Sequence, residues 1–235
     1  MKGKIVYGKA TRFANEHLKV EIGENEVGYV HASELAPYPG YTLNDEGYSK
    51  AATYCIGVKL PYLVTSISVK GPILSRRLLA EDTLETLKAE KLHDYVVGTI
   101  TGYATNEKGI YGVYVDVNGV YGLCPSAELS YCYLADPSVA FSIGDKLEFA
   151  ITSITEDNKL FLSRIATLPS KEAMLEKYTK NEIVLGNLVC RVNHKRDNAD
   201  SRSWFVIIDQ NVAGMVDIPV NQKVRPGIPV SLTIR

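Results

Sequence analysis

The chain has 235 residues, 46% hydrophobic and 23% charged, with 26 Lys+Arg against 27 Asp+Glu and a formal net charge of −1. Those proportions exclude a wholly disordered or fibrous chain, and the near-zero charge argues against affinity built mainly on nonspecific phosphate neutralisation. No run approaches the roughly 20 apolar residues of a membrane span, and Met1-Lys2-Gly3-Lys4-Ile5 leads into a strand pattern rather than a signal-peptide core, so a cytoplasmic protein with no membrane contact is expected. Cys55, Cys124, Cys132 and Cys190 show no CxxC spacing, which leaves reduced, mostly buried thiols and no expected metal or cofactor.

In chain order, alternation predicts strands at Ile5 to Ala10, Leu18 to Ile22 and Val27 to His31, followed by a Tyr-rich connection from Pro37-Tyr38-Pro39-Gly40-Tyr41 through Tyr48 and Tyr54. A fourth strand at Val58 to Val69 and a fifth at Ile73 to Ser75 complete the set. Residues 81 to 93 carry Leu84, Leu87 and Leu92 at helical spacing and predict a short helix. Strands then recur at Val96 to Tyr103, Gly109 to Val117 and Val120 to Cys124, with Asn118-Gly119 as the hairpin turn. Val113, Val115 and Val117 alternate with Tyr114 and Asp116, giving one buried and one wet face.

A long connection over 125 to 143 precedes a strand at Lys146 to Ile154, a turn at Asp157-Asn158, and a fifth strand holding Leu160 and Leu162. Ser170 as an N-cap, Glu172 in the first turn, and Met174, Leu175 and Tyr178 predict a second short helix. A last set starts at Gly186 and includes Trp204 to Asp209. Its fourth strand runs out at Ile234-Arg235, and a fifth has no counterpart.

The sets are copies of one unit. Leu74-Ser75-Arg76 and Gly98 recur 88 residues later as Leu162-Ser163-Arg164 and Gly186. Gly28-Tyr29-Val30-His31-Ala32-Ser33-Glu34-Leu35 is echoed by Gly122-Leu123-Cys124-Pro125-Ser126-Ala127-Glu128-Leu129 and faintly by Gly214-Met215-Val216-Asp217-Ile218-Pro219. Five short antiparallel strands with a longer third-to-fourth connection is the layout of a closed OB-fold barrel. The expected fold is all-β: tandem five-stranded OB-fold barrels joined by short linker helices. Barrel 1 is assigned to 1–80, a linker helix to 81–95, barrel 2 to 96–166, a second linker helix to 167–183, and an incomplete or atypical barrel 3 to 184–235.

The middle copy, with Gly98, Tyr111-Gly112-Val113-Tyr114-Val115, Gly122-Leu123-Cys124-Pro125-Ser126, Gly144-Asp145 and Leu162-Ser163-Arg164, resembles the S1 RNA-binding domain family. The array is similar to the tandem repeats of bacterial ribosomal protein S1. That resemblance implies non-catalytic binding of single-stranded RNA, in mRNA handling or association with the ribosome or its proteins. The pattern departs at Pro125, where the family has His, and at Thr155, where Asp is usual. In the first copy His31 keeps the signature His, while Glu16 and Lys19 replace the two strand-two aromatics.

Aromatic rings that stack on bases, flanked by cations for phosphate, are what such a site requires. Tyr111 and Tyr114 are the leading pair. Strict alternation puts Tyr114 outward and Tyr111 inward, and a bulge at Gly112 would bring both outward. Tyr103 and Phe161 flank the same face, with Lys159 and Arg164 at the strand-five cation positions. His31 and Lys19 are the candidates in copy one. Copy three offers Arg191, Arg202 and Trp204 around a basic turn with Lys195 and Arg196. Each also has a plain structural alternative, as rim packing or a solvated charge.

His17, His93 and His194 are isolated, and no phosphate loop, nucleophile elbow or HExxH occurs, so no enzyme is indicated. The rival expectation is a protein-docking module that uses the Tyr-rich connection and the middle copy, where residues 98 to 164 carry 4 Lys+Arg against 8 Asp+Glu.

Overall fold

A computed structural model describes residues 2–35, 45–89, 95–132, 134, 136–191, 203–219 and 222–235. The first barrel is built from β1 (Ile5–Ala14), β2 (His17–Glu21), β3 (Val27–His31), β4 (Lys59–Ser68) and β5 (Gly71–Ser75), closed in the order β1-β2-β3-β5-β4. The second comprises β6 (Tyr95–Asn106), β7 (Gly109–Val117), β8 (Val120–Pro125), β9 (Lys146–Ile154) and β10 (Leu160–Ser163), closed as β10-β8-β7-β6-β9. In both, closure comes from a parallel pairing of the third and fifth strands, Tyr29 opposite Ile73 and Gly122 opposite Leu160. Tandem OB-fold barrels are therefore present.

The third unit is a four-stranded sheet of β11 (Ile183–Arg191), β12 (Ser203–Ile207), β13 (Ala213–Asp217) and β14 (Pro229–Thr233), ordered β13-β12-β11-β14. Among the described residues no fifth strand joins β13 to β14. Its small core of Leu188, Val206 and Ile218 is consequently flanked by Val216, Val230 and Leu232, which stay only partly buried. At the corresponding positions of the closed barrels Val30, Cys124, Leu60, Tyr62 and Phe149 are buried, with only Leu147 partly so.

The period is written into packing as well as pairing. Gly8, Gly98 and Gly186 lie where a Cβ would come within 2.5, 2.2 and 2.7 Å of Val20, Val115 and Val206 on the neighbouring strand, so only hydrogen fits. Three residues after each glycine the first strand carries one extra residue. The register slips between Ala10 and Arg12, between Ile100 and Gly102, and between Leu188 and Cys190. A bulge of this kind bends a strand around a small barrel and flips the side-chain alternation beyond it.

Helices depart from expectation in placement. The Tyr-rich connection contains α1 (Asp45–Cys55), which buries Ala51, Ala52 and Cys55, whereas Pro37 to Tyr41 lie outside the described residues. The first linker helix, α2 (Arg77–Ala89), begins directly after β5. The reason is local: Ser75 Oγ accepts the Leu78 N–H at 3.0 Å, an N-cap inside the Leu-Ser-Arg motif. Ser163 does the same for Ala166 at 3.2 Å, starting a 3-10 turn. A single turn, α3 (Ser126–Leu129), follows β8. The second linker helix, α4 (Lys171–Leu175), has Ser170 as its cap, with Oγ accepting from Ala173 N.

The same two serines tie the motifs together. Ser75 Oγ donates to Glu34 at 2.5 Å and Ser163 Oγ to Glu128 at 2.6 Å, while the Arg76 and Arg164 amides donate to the carbonyls of those glutamates, each at 2.8 Å. Burial acts against the charge on Glu34, but hydrogen bonds from Ser75 and Arg77 outweigh it and hold the carboxyl below its ordinary range.

Candidate nucleic-acid interface

The outward face of barrel 2 is set by a second register slip, between Ala104 and Thr105. Ala104 pairs with Gly112 and Thr105 with Ile110, so Tyr111 is the unpaired extra residue. Val113 and Val115 point into the core at 0% exposure, Tyr114 is half-buried, and Tyr111 is 40% exposed. Burial and a side-chain hydrogen bond with Tyr114 push the Tyr111 hydroxyl up. The bulge thus centres on Tyr111, beside the Gly112 position expected to carry it.

A third ring joins them from the first barrel. Tyr54, on α1, meets Tyr114 edge-on with centroids 6.0 Å apart. Its ring lies over Gly102, where a Cβ would come within 2.5 Å of Cε1. Tyr103 is half-buried and its hydroxyl donates to the Phe141 carbonyl at 2.7 Å, which directs it to the connection before β9. Phe161 is 37% exposed on β10, beside Leu123. Lys159 lies at the β9–β10 turn, its ammonium 3.6 Å from Asp157.

Arg164 requires a correction. It is 6% exposed, donates to the Leu129 carbonyl at 3.1 Å and to Asn211 Oδ1 at 2.5 Å, and its guanidinium sits 5.2 Å from the Phe141 ring centre. A cation held this way is not presented to a phosphate in solvent. Burial lowers its pKa from the ordinary arginine value.

On barrel 1, Lys19 is exposed on β2 and pairs with Arg12 on one side and Tyr29 on the other. The register aligns two cations and a tyrosine in a row across three strands. His31 is half-buried beside that row, with Nδ1 accepting from Ser33 N at 3.3 Å and Nε2 3.7 Å from Glu16. Its ring meets His17 edge-on at 5.1 Å. Arg12 and Tyr29 escaped the sequence reading because simple alternation places Arg12 on the core side with Ala10; only the bulge turns it outward.

In the third unit Arg191 ends β11, exposed and opposite Trp204. Trp204 packs on the Leu188, Val206 and Ile218 core and is half-buried, so it faces inward. The residue in register with Tyr114 is Phe205, since Val206 pairs with Gly214 as Val115 does with Gly122. Arg202, Lys195 and Arg196 lie outside the described residues, as do His93 and His194. Among the described residues no group of His, Cys, Asp and Glu is arranged to hold a metal ion, and no helix is long and apolar enough to cross a membrane.

No protein-family model matches the chain. Curated relatives do. The chain is 26% identical over 189 residues to small ribosomal subunit protein bS1 of Streptococcus pneumoniae, covering 79% of this chain and 45% of the relative. It is 25% identical over 242 residues to the protein of the same name from Staphylococcus haemolyticus, covering 98% of this chain and 57% of the relative. The chain spans about half the length of the curated relatives it matches. Among solved structures, GSP13 from Bacillus subtilis is 24% identical with a TM-score of 0.30, covering 35% of this chain and 63% of its own.

Proposed function

We propose that this chain binds single-stranded RNA without catalysing its turnover, in the cytoplasm and in association with mRNA or the ribosome, as its similarity to proteins named bS1 suggests. One observation supports the binding mode above the rest: the slip at Tyr111 turns Tyr111 and Tyr114 to a common outward face, where bases stack on rings. The row of Arg12, Lys19 and Tyr29, with His31 at its end, adds two cations on the first barrel. Phe161 and Lys159 extend the middle face, and Arg191 lies in the third unit. Tyr103, Arg164 and Trp204 are committed to packing and stand outside the contact set.

The test is fluorescence anisotropy with short single-stranded RNA at two salt concentrations, with Tyr111→Ala/Tyr114→Ala alongside. Each base stack is worth about 1–3 kcal/mol, so the double variant loses at least about tenfold in affinity. Binding that is undiminished in this variant, or no binding at low salt, overturns the reading.

One observation favours protein docking as a second function. β13 and β14 end the third sheet without a joining strand among the described residues, and Met215 is exposed on β13. Unpaired strand edges accept an added strand from a partner. A protein that co-purifies with the chain and is lost when β13 carries Met215→Lys supports that function.

A further inference from the structure

The arginine of the Leu-Ser-Arg repeat leaves the fifth strand of its own barrel and ends in the next one, twice. Arg76 is fully buried, donates to the Pro61 carbonyl at 2.8 Å, lies 5.5 Å from the Tyr62 ring centre, and pairs with Asp116 on β7 of barrel 2. Arg164 donates to the Leu129 carbonyl, lies over Phe141, and reaches Asn211 at 2.5 Å and Gln210 at 3.4 Å in the β12–β13 turn of the third unit. Each arginine is thus held by a backbone carbonyl and an aromatic ring of its own barrel. Each is received by the second-to-third-strand hairpin of the following barrel.

The receiving hairpins are alike. Asp116 Oδ1 accepts the Gly119 N–H at 3.3 Å, and Asp209 Oδ1 accepts the amides of Asn211 and Val212 at 2.7 and 2.8 Å, so a carboxylate shapes each turn. Fit is close at the first seam. A Cβ on Gly119 would lie 3.0 Å from the Arg76 carbonyl oxygen, and Thr83 Oγ1 on α2 donates to the Asn118 carbonyl at 3.2 Å. At the second, Ser130 Oγ donates to the Gln210 carbonyl at 2.7 Å and Gln210 Nε2 to the Ala140 carbonyl at 3.3 Å.

We propose that Arg76 and Arg164 are positioning residues, latches that lock each barrel to the hairpin of the next, so that adjacent outward faces meet one RNA strand in a fixed relation. The second half of this statement rests on the RNA-binding reading above; the latch itself does not. Neither arginine touches RNA. They act by holding apart two sites that would otherwise reorient freely, which converts binding at the second site into an event of high effective concentration.

The experiment compares the full chain with Gln210→Ala/Asn211→Ala, which strips the second latch at a turn without removing a buried charge, and with Asn211→Asp, which keeps an acceptor for Arg164. Amide residual dipolar couplings report relative orientation directly. In the unaltered chain and in Asn211→Asp, one alignment tensor is expected to fit barrel 2 and the third unit; in the double alanine variant, each fits only its own. One shared tensor in the double alanine variant overturns the latch. The RNA half is read with uridine oligomers of about 4 and about 24 nucleotides, since one OB barrel covers roughly 4–16. Loss of about tenfold for the long oligomer, with the short one unchanged, supports it. Equal loss on both, or no change on either, overturns it. If the unaltered chain binds neither oligomer, the RNA reading fails while the couplings still decide the latch.

Discussion

Breaking the Arg76–Asp116 pair is expected to be among the most damaging changes available in the first two barrels. The two side chains are 0% and 1% exposed. Asp116→Asn removes the countercharge and one of the two acceptor oxygens, leaving a guanidinium out of water with the Pro61 carbonyl, the Tyr62 ring and at most a neutral amide oxygen that Gly119 also needs. Removing one member of a buried pair costs about 3–5 kcal/mol. For a cooperative unit of about 150–250 residues each kcal/mol lowers Tm by about 2–4 °C, so the loss is about 6–20 °C. Arg76→Met leaves the converse problem, a buried carboxylate with the Gly119 amide as its named donor. In the unaltered protein burial works against the arginine's charge, yet Asp116 outweighs it and raises the pKa, so the pair stays charged across the pH range of the assay.

The double replacement Arg76→Met/Asp116→Leu removes both charges and fills the seam with apolar volume. It should recover most of the loss, leaving a coupling energy of about 2 kcal/mol or more in the cycle. Urea unfolding followed by circular dichroism, with calorimetry to check coincidence of transitions, reads the unaltered protein, Arg76→Met, Asp116→Leu and the double replacement, the four corners of the cycle. Single variants that lose under about 1 kcal/mol, or a double variant as unstable as the sum of the singles, would refute the claim that the charges depend on one another.

Gly98→Ala should cost about 1–3 kcal/mol by overpacking, because its Cβ would sit 2.2 Å from Val115 Cγ1 and 3.3 Å from the Phe149 ring; an unchanged urea midpoint would contradict this. Burial pushes the Cys124 thiol up to about 12, against about 8.5 unfolded. A native pKa raised in this way contributes stability that is present below about 8.5 and lost as pH rises toward 12, so the fall in urea midpoint over that range should be smaller in Cys124→Ala than in the unaltered protein. In the native protein at pH 8, of the four thiols only half-buried Cys190 should react quickly with a disulfide reagent, and fast titration of two or more would count against the buried cluster. Arg12→Glu/Lys19→Glu should weaken RNA binding and flatten its salt dependence by roughly two counterion equivalents, measured as the slope of log affinity against log salt.

Local periodicity carried most of the fold. Period-2 runs located the strands, with β3, β7 and β9 matching to the residue, because a half-buried sheet needs one apolar face wherever it occurs. The 88-residue repeat identified the barrels for the same reason: each must pack the same glycine under the same valine. Helix α2 was placed four residues late, although Ser75 held the signal as an N-cap.

Which way a given side chain faces was settled elsewhere. Bulges after Ala10 and Ile100 and at Tyr111 reverse the alternation on which sidedness depends, and a bulge is chosen by barrel curvature rather than by the residues inside it. That is why Tyr111 and Arg12 emerge on the outer faces. The fates of Arg76 and Arg164 lie further still from local reading. Their partners are 40 and 47 residues away, on the hairpin of another barrel. A charge written at the end of a strand is cheapest in water, and sequence alone assigns it there; only the docking of one barrel on the next, with a carbonyl, a ring and an acceptor converging on one guanidinium, makes burial the lower free energy.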